Sequence, residues 1–398
     1  MSFGHLRRVA AVFASAMVGL VGQSTVVVRG GGPALNLAIQ QATPGDHLIV
    51  RAADYDALLV DRGLRIECDV GVRFDANAIL GSGSRIFGVP AGQWLSIRGG
   101  VMAAGSISRL EIHRCTGVVT WVAPTFEAAG LRGTISIENS ASVSIESPVF
   151  PAVSALGNGW LFSVTGSATA VSACTNCAPF DLHQSSVSLD GVSVPSTYGI
   201  GSLLADASHL SITGGSLPGS NFNLGQISLP GIRMTNSDAT ITGGARITAG
   251  TGQTGLQGAI EGDNSLLRLD PSVQLVAPGT AVRGTIGVDP RTVPQLELPR
   301  RITSAAAFDM WTHGAAQDVV FVLFDLPGPT LATPLGSLWI TTSAPILDLV
   351  AIPAGSTATV RHYTAPSLPA ALPLVFQAIR IGASGEMTLG TPSRVFVN

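Results

Sequence analysis

A short pattern of two strands separated by a polar turn recurs along the chain from about residue 58 to residue 286. Apolar residues alternate in it with Ser, Thr or charged residues, as expected for strands with one buried face. The first strands are 64–68, 95–99, 110–115, 135–139, 162–166, 180–184, 204–208, 232–236 and 260–264. The second strands include 143–145, 187–189, 210–212, 240–241 and 267–269. The spacing of roughly 15 to 31 residues predicts a solenoid of about nine rungs.

The composition agrees with many short strands joined by tight turns. Only 12% of the residues are charged and Gly occurs 47 times, whereas typical soluble domains carry about a quarter charged residues. The net charge of −3 is small, and all basic residues are Arg. Apart from Arg7-Arg8 and Arg300-Arg301 the arginines are dispersed, so the chain lacks the basic face of a nucleic-acid-binding protein.

Residues 25–57 precede the repeats, and their sequence predicts a cap on the first coil. Pro33 occupies a favoured first helical position, and the apolar residues that follow fall on one helical face. We expect a helix over 34–42, a stop at Pro44-Gly45 and a buried strand over 47–51. Such a helix covers the apolar interior and unpaired edge of the first coil.

The segment 34–55 resembles the N-terminal cap of right-handed parallel β-helix proteins of the pectate-lyase-like superfamily. The resemblance implies an all-β right-handed parallel β-helix over 58–286. It also raises an enzymatic hypothesis, because this superfamily includes polysaccharide lyases and glycoside hydrolases.

The repeat pattern ends near three prolines, Pro290, Pro294 and Pro299, which predict a linker over 287–299. Strands predicted beyond it are 319–324, 335–341, 356–363, 374–381 and 394–397. They indicate a small antiparallel β-sandwich over 300–398. Its segments 352–356, 366–368 and 374–378 resemble a planctomycete-type C-terminal module of secreted bacterial proteins.

The N-terminus has the features of a secretory signal over residues 1–24. His5, Arg7 and Arg8 precede an apolar run over 9–21. The alternative is an apolar strand packed on the cap. Export predicts a secreted or cell-surface protein, with no transmembrane anchor after signal removal.

The chain has four cysteines. Cys174 and Cys177 could form a local disulfide, which suits an exported protein; two inert stacked thiols are the alternative. Zinc would need two further ligands, and none is placed for it, so we predict no metal. Cys68 and Cys115 are assigned to equivalent turns two rungs apart, about 9 to 10 Å, and are expected to be free and buried.

Candidate catalytic residues lie at outward positions of the first strands. Glu111 and Asp181 share one position, while His113, Glu138 and His183 share the next. A hydrolase needs two carboxylates at a defined separation, and lyases of the resembled kind use a calcium-binding acidic cluster with a basic proton acceptor. No two carboxylates fall on adjacent rungs at one position, and no run of Asp suggests calcium. The competing interpretation is that these residues solvate the outer face.

We therefore expect an exported, non-catalytic, monomeric protein with a structural or adhesive role at the cell surface. Its partner would be a polysaccharide or another cell-envelope component bound weakly along the coil face, without a cofactor. The alternative is a polysaccharide lyase or glycoside hydrolase acting on that face. Ice binding is a third class, but Thr240-Ile241-Thr242 is an isolated Thr-x-Thr triplet.

Overall fold

The computed structural model describes residues 24–77, 83–103, 105–128, 132–151, 159–195, 201–222, 227–251, 257–341, 344–365 and 372–397. The predicted signal lies outside these residues. The fold is nearly all-β, with 2% helix and a parallel β-solenoid of about 9 turns. None of the helical structure in the described part of the chain has the length and hydropathy of a membrane span.

Three parallel ladders of strands form the solenoid. The first ladder consists of Leu59–Val60, Ser84–Phe87, Ile107–His113, Arg132–Glu138, Trp160–Thr165, Phe180–His183, Leu203–Asp206, Ile232–Thr235 and the first halves of Ile260–Leu269 and Val282–Pro290. The second ladder consists of Thr25–Val28, His47–Val50, Arg65–Cys68, Trp94–Arg98, Val118–Val122, Ser142–Glu146, Ala168–Ser172, Ser186–Asp190, His209–Thr213, Asp238–Thr242 and the second halves of the same two long strands. The third ladder consists of Asp54–Tyr55, Arg73–Asp75, Val101–Ala103 and Thr125–Phe126, and, further along, Ser216–Pro218, Arg246–Thr248 and Gln274–Val276. A short antiparallel hairpin, Asn221–Phe222 with Ile227–Ser228, leaves the stack.

Inward side chains stack from rung to rung and form one core. Ile112 aligns with Ile137 on the next rung, and both are fully buried. Phe162 stacks on Phe180 with ring centroids 4.8 Å apart. Because burial repeats at every rung, hydrophobic stabilisation accumulates along the whole stack.

Most passages from the first to the second ladder turn on a single residue in the left-handed conformation. Asn139, Asn236 and Asn264 hold φ of 49°, 48° and 48° at equivalent turns. Asn tolerates this conformation better than most residues. The turns can therefore be tight without Gly at every rung.

A serine follows most of these turn residues and forms an internal ladder. The ladder serines are Ser140, Ser167, Ser185, Ser208, Ser237 and Ser265. The backbone N–H of each donates to the hydroxyl oxygen of the next at 3.0 to 3.3 Å. Cys115 holds the same position one rung earlier, and its N–H donates to Ser140 Oγ at 3.3 Å. The hydroxyls thus satisfy buried amides where the strands break.

The helix α1, Ala34–Gln41, covers the first rung as predicted. Leu35 and Ile39 enter the solenoid core. Asn36 Nδ2 donates to the carbonyl of Ala57 at 2.8 Å, and its Oδ1 accepts from the amide of Leu59 at 3.1 Å. The amide side chain thus binds the backbone on both sides of residue 58.

The C-terminal module contains two sheets whose strand pairs are antiparallel, except for the parallel pair of Arg301–Ile302 with Ser393–Val397. One sheet contains Gln295–Glu297, Ala307–His313 and Ala358–Thr364. The other contains Arg301–Ile302, Ser393–Val397, Pro373–Ile381, Val319–Asp325, Ile346–Ala351 and Met387–Leu389, and a hairpin joins Leu331–Thr333 to Gly336–Leu338. Met310 of the first sheet and Val320 and Phe376 of the second share one core, consistent with the predicted sandwich.

The assumed equivalence of Cys68 and Cys115 is wrong. Cys68 ends a strand of the second ladder, aligned with Val50, whereas Cys115 follows a strand of the first ladder. The same correction applies to 64–68 and 95–99, which are second-ladder segments. Both ladders alternate with period two, and the early first-ladder strands, such as Leu59–Val60, are too short to show it. Cys115 is free and buried as expected; Cys68 is free but only partly buried.

Candidate functional site

The first-ladder face carries the predicted candidate residues in two vertical rows. Glu111 aligns with Ser136, then Ser163, then Asp181. The second row places His113 beside Glu138 on adjacent rungs and continues through Thr165 to His183. The register over these rungs is the one expected from the sequence, because apolar and polar residues alternate in every first-ladder strand from Leu110 to His183.

Arginines hold the carboxylate of Glu111. Arg85 Nε lies 2.6 Å from Glu111 Oε2, and Arg109 Nε lies 3.0 Å from Oε1. Both oxygens therefore face a guanidinium. A carboxylate paired in this way is poorly suited to attack a sugar carbon or to donate a proton.

The other candidates also have partners. Ser136 Oγ donates to Glu138 Oε1 at 2.8 Å. His183 Nε2 lies 3.2 Å from Asp181 Oδ1, and its Nδ1 lies 3.7 Å from Asp206 Oδ2 on the next rung. Asp206 is hard to recognise from the sequence, because apolar and polar residues alternate only weakly in its repeat, 204–208. The register that aligns Asp206 with His183 follows from the turn at Ala207.

The face thus presents paired charges on a flat sheet. Four of the five candidates form these polar contacts, and His113 stacks on Phe87 with centroids 6.0 Å apart. Among the described residues no group of three or more His, Cys, Asp or Glu is gathered as a metal site requires. The arrangement can exchange hydrogen bonds with a polar ligand, whereas neither a nucleophile nor a proton donor is singled out by its contacts.

Cys174 and Cys177 are buried and carry free thiols in the structure. The local disulfide between them stays a prediction. The amide of Cys177 donates to the carbonyl of Ser193 at 2.9 Å, and the amide of Ser193 donates to the carbonyl of Cys174 at 2.7 Å. Burial raises the pKa of Cys177 well above its ordinary value, so its thiolate is disfavoured.

The second-ladder face is covered by the C-terminal module. Its central outward row is made of small residues, all buried: Ser96, Thr120, Ser144, Ala170, Ser188, Ser211 and Thr240. Arg301 Nε lies 3.6 Å from Glu146 Oε1, and Arg268 Nη2 donates to the carbonyl of Pro334 at 3.0 Å. Burial raises the pKa of Glu146 although the two arginines at 300 and 301 oppose the shift. The ice-binding hypothesis fails here, because Thr240 and Thr242 are not accessible.

A cleft of about 520 Å³ lies where the module meets the end of the second-ladder strands. Its solenoid wall contains Asp190, Thr213, Ser272 and the glycines 191, 214, 243 and 244. Its module wall contains Gln295, Leu296, Glu297, Leu298, Arg300, His313, Thr391, Ser393 and Arg394. No sequence motif marks this site, because the residues of its two walls are far apart in the chain.

Two ion pairs lie in the cleft lining. Arg300 Nη2 lies 3.2 Å from Asp190 Oδ2, and His313 Nε2 lies 3.2 Å from Glu297 Oε2. Burial raises the pKa of Asp190, and the nearby Arg300 opposes this shift. Each carboxylate therefore has a basic partner across or along the cleft.

Most tryptophans serve packing. Trp121 and Trp339 are fully buried, and Trp160 is 4% exposed. Trp94 packs against the module core, whereas Trp311 is 44% exposed. The tryptophans therefore do not form an aromatic sugar-binding row on the first-ladder face.

No protein family model and no curated protein matches the chain. Among solved structures, the chain is similar to a superoxide reductase (neelaredoxin) from Ignicoccus hospitalis at 13% identity, over 27% of this chain and 82% of that chain. The TM-score is 0.19, so this likeness supports no conclusion on fold or function.

Proposed function

We propose that the protein is an exported, non-catalytic structural or adhesive protein whose first-ladder face binds a glycan weakly at the cell surface. The observation that carries the proposal is the pairing of the acidic groups on that face. Glu111 is held by Arg85 and Arg109, and Asp181 by His183. Paired charges on a rigid sheet offer hydrogen-bond donors and acceptors at a regular spacing of about 4.8 Å.

The fold also leaves this face open. The C-terminal module covers the second ladder, whereas Glu138, His183 and Asp206 remain exposed. A long open face suits weak contacts repeated over many rungs, which together give useful avidity.

Native gels cast with acidic or neutral polysaccharides test the binding. We expect retarded migration that decreases when His113→Ala and His183→Ala are combined. The matched control is His362→Ala, an exposed histidine of the module paired with Asp309. Unretarded wild-type protein, or equal retardation of the double variant, would overturn the proposal.

A further inference from the structure

We propose that the cleft between the solenoid and the C-terminal module is a binding site for an uncharged sugar residue. The site does not rest on the proposed function, because the first-ladder face takes no part in it. Three features carry the inference: a glycine wall, a charge-balanced lining and a rigid frame.

The glycine wall is not required by backbone conformation alone. The equivalent corners of four earlier rungs hold Gly99, Ala123, Ser147 and Ala173, with φ of 74°, 54°, 50° and 52°, so three of the four carry a side chain. At the cleft the same corners are Gly191, Gly214 and Gly243, each directly after a second-ladder strand, and the amides of Gly191 and Gly214 donate to the next rung as those of the earlier corners do. Side chains are therefore tolerated at such corners, yet are absent where the cleft lies.

A side chain in this wall would take space from the cleft. A Cβ built on Gly191 would lie 3.0 Å from Arg300 Nη2, so the glycine makes room for the Arg300–Asp190 pair. A Cβ on Gly244 would meet no atom within 4 Å, so that position borders open space. The wall is smooth backbone against which a flat ring can lie.

The lining selects an uncharged, hydroxyl-rich ligand. Its two carboxylates are already paired, Asp190 with Arg300 and Glu297 with His313, so a phosphate or a polyanion would have to compete with them for these partners. Carboxylate, guanidinium and hydroxyl groups together can accept from and donate to adjacent sugar hydroxyls. The amides of Gly191 and Gly214 already donate to the carbonyls of Thr213 and Thr242 at 2.8 and 3.0 Å, so a peptide strand finds no free edge there.

The frame of the cleft is held by hydrogen bonds between its two walls. Thr213 Oγ1 donates to Thr391 Oγ1 at 2.7 Å, and Gln295 Nε2 donates to Thr242 Oγ1 at 2.5 Å. A preformed site of this kind loses little conformational entropy on binding.

Isothermal titration with maltotriose, cellotriose and xylotriose tests the inference, with trigalacturonate as the charged comparison. We expect at least one neutral trisaccharide to bind. Gly244→Asn narrows the cleft with a residue that tolerates a positive φ. Arg300→Gln removes a charged hydrogen-bond donor. Each change should weaken binding about tenfold or more, which for Arg300→Gln is the effect of losing one good hydrogen bond to a charged group.

Matched controls are Gly355→Asn, at an exposed turn of φ +80° with open space around its Cβ, and Arg233→Gln on the first-ladder face. Both should bind like the wild type, and circular dichroism should show every variant folded. Failure of all three neutral sugars to bind, tighter binding of trigalacturonate, or unchanged binding by Gly244→Asn would overturn the inference. The first-ladder histidine variants separate the two proposals, since they should leave cleft binding unchanged.

Discussion

Buried hydroxyls at the turns show how single residues hold this solenoid together. Ser208 is fully buried; its Oγ donates to the carbonyl of Asp206 at 2.8 Å and accepts from the amide of Ser185 at 3.2 Å. A repeated Ser after the turn residue was visible in the sequence. Its role could not be inferred there, because a serine at a turn more often faces water.

Ser208→Ala should lower the stability by about 1 to 3 kcal/mol, because the amide of Ser185 loses its buried partner. Urea unfolding followed by circular dichroism measures the change. Ser163→Ala on the outer face is the control and should cost less. Equal effects of Ser208→Ala and Ser163→Ala would contradict this role of the buried hydroxyl. Cys115→Ser should be neutral or stabilising, since a serine at this position extends the same ladder of hydroxyls.

A second residue-scale prediction concerns pH. His209 Nδ1 contacts Asp238, and Arg268 Nη1 donates to Asp238 Oδ2 at 2.9 Å. The hydrogen bond that His209 donates to Asp238 raises the pKa of His209 against the opposing effect of burial. Burial alone would raise the pKa of Asp238, but the hydrogen bonds from His209 and Arg268 outweigh it and lower that pKa.

The stability contributed by protonated His209 is complete below its ordinary pKa of about 6.5 and is lost as the pH rises through the raised folded value. The contribution of ionised Asp238 is lost only as the pH falls through its lowered folded value. We expect the melting temperature of the wild type to exceed that of His209→Gln most at about pH 5 to 6, with the difference shrinking above pH 7. A difference that does not depend on pH would show that the pair adds no charge-dependent stability.

At the scale of elements, the register of a strand can be predicted only where the alternation of apolar and polar residues persists. From Leu110 to His183 each first-ladder strand has clear period two, so the rows through Glu111 and His113 could be placed correctly. Earlier rungs use the strands Leu59–Val60 and Ser84–Phe87, and there the register of Cys68 was misplaced. The covered second ladder could not be foreseen, because outward Ser and Thr look alike whether they face water or a packed module.

The helix α1 gives a prediction at this scale. Asn36→Ala removes both hydrogen bonds between the helix and the chain around residue 58, and should lower stability by about 1 to 3 kcal/mol. Hydrogen exchange should show the loss in the first rungs before the rest of the stack, as local opening in a solenoid requires. Gln40→Ala, an exposed change in the same helix, is the control; equal protection in both variants would show that Asn36 does not anchor the cap.

The whole molecule combines a solenoid with a module that closes one of its faces. Arg300, Arg301 and Thr391 join the module to Asp190, Glu146 and Thr213 on separate rungs. The docking leaves the first-ladder face open and creates the cleft. These consequences belong to the assembled chain, and neither part alone displays them.

We propose that the open face binds a glycan without catalysing a reaction on it. The most direct test is incubation of the purified chain with acidic and neutral polysaccharides, with and without calcium, while unsaturated products and new reducing ends are measured. The account predicts no product above the level of a buffer control under either condition. Product formation that is abolished by Glu138→Gln or Asp181→Asn would contradict it and would establish a polysaccharide lyase or glycoside hydrolase.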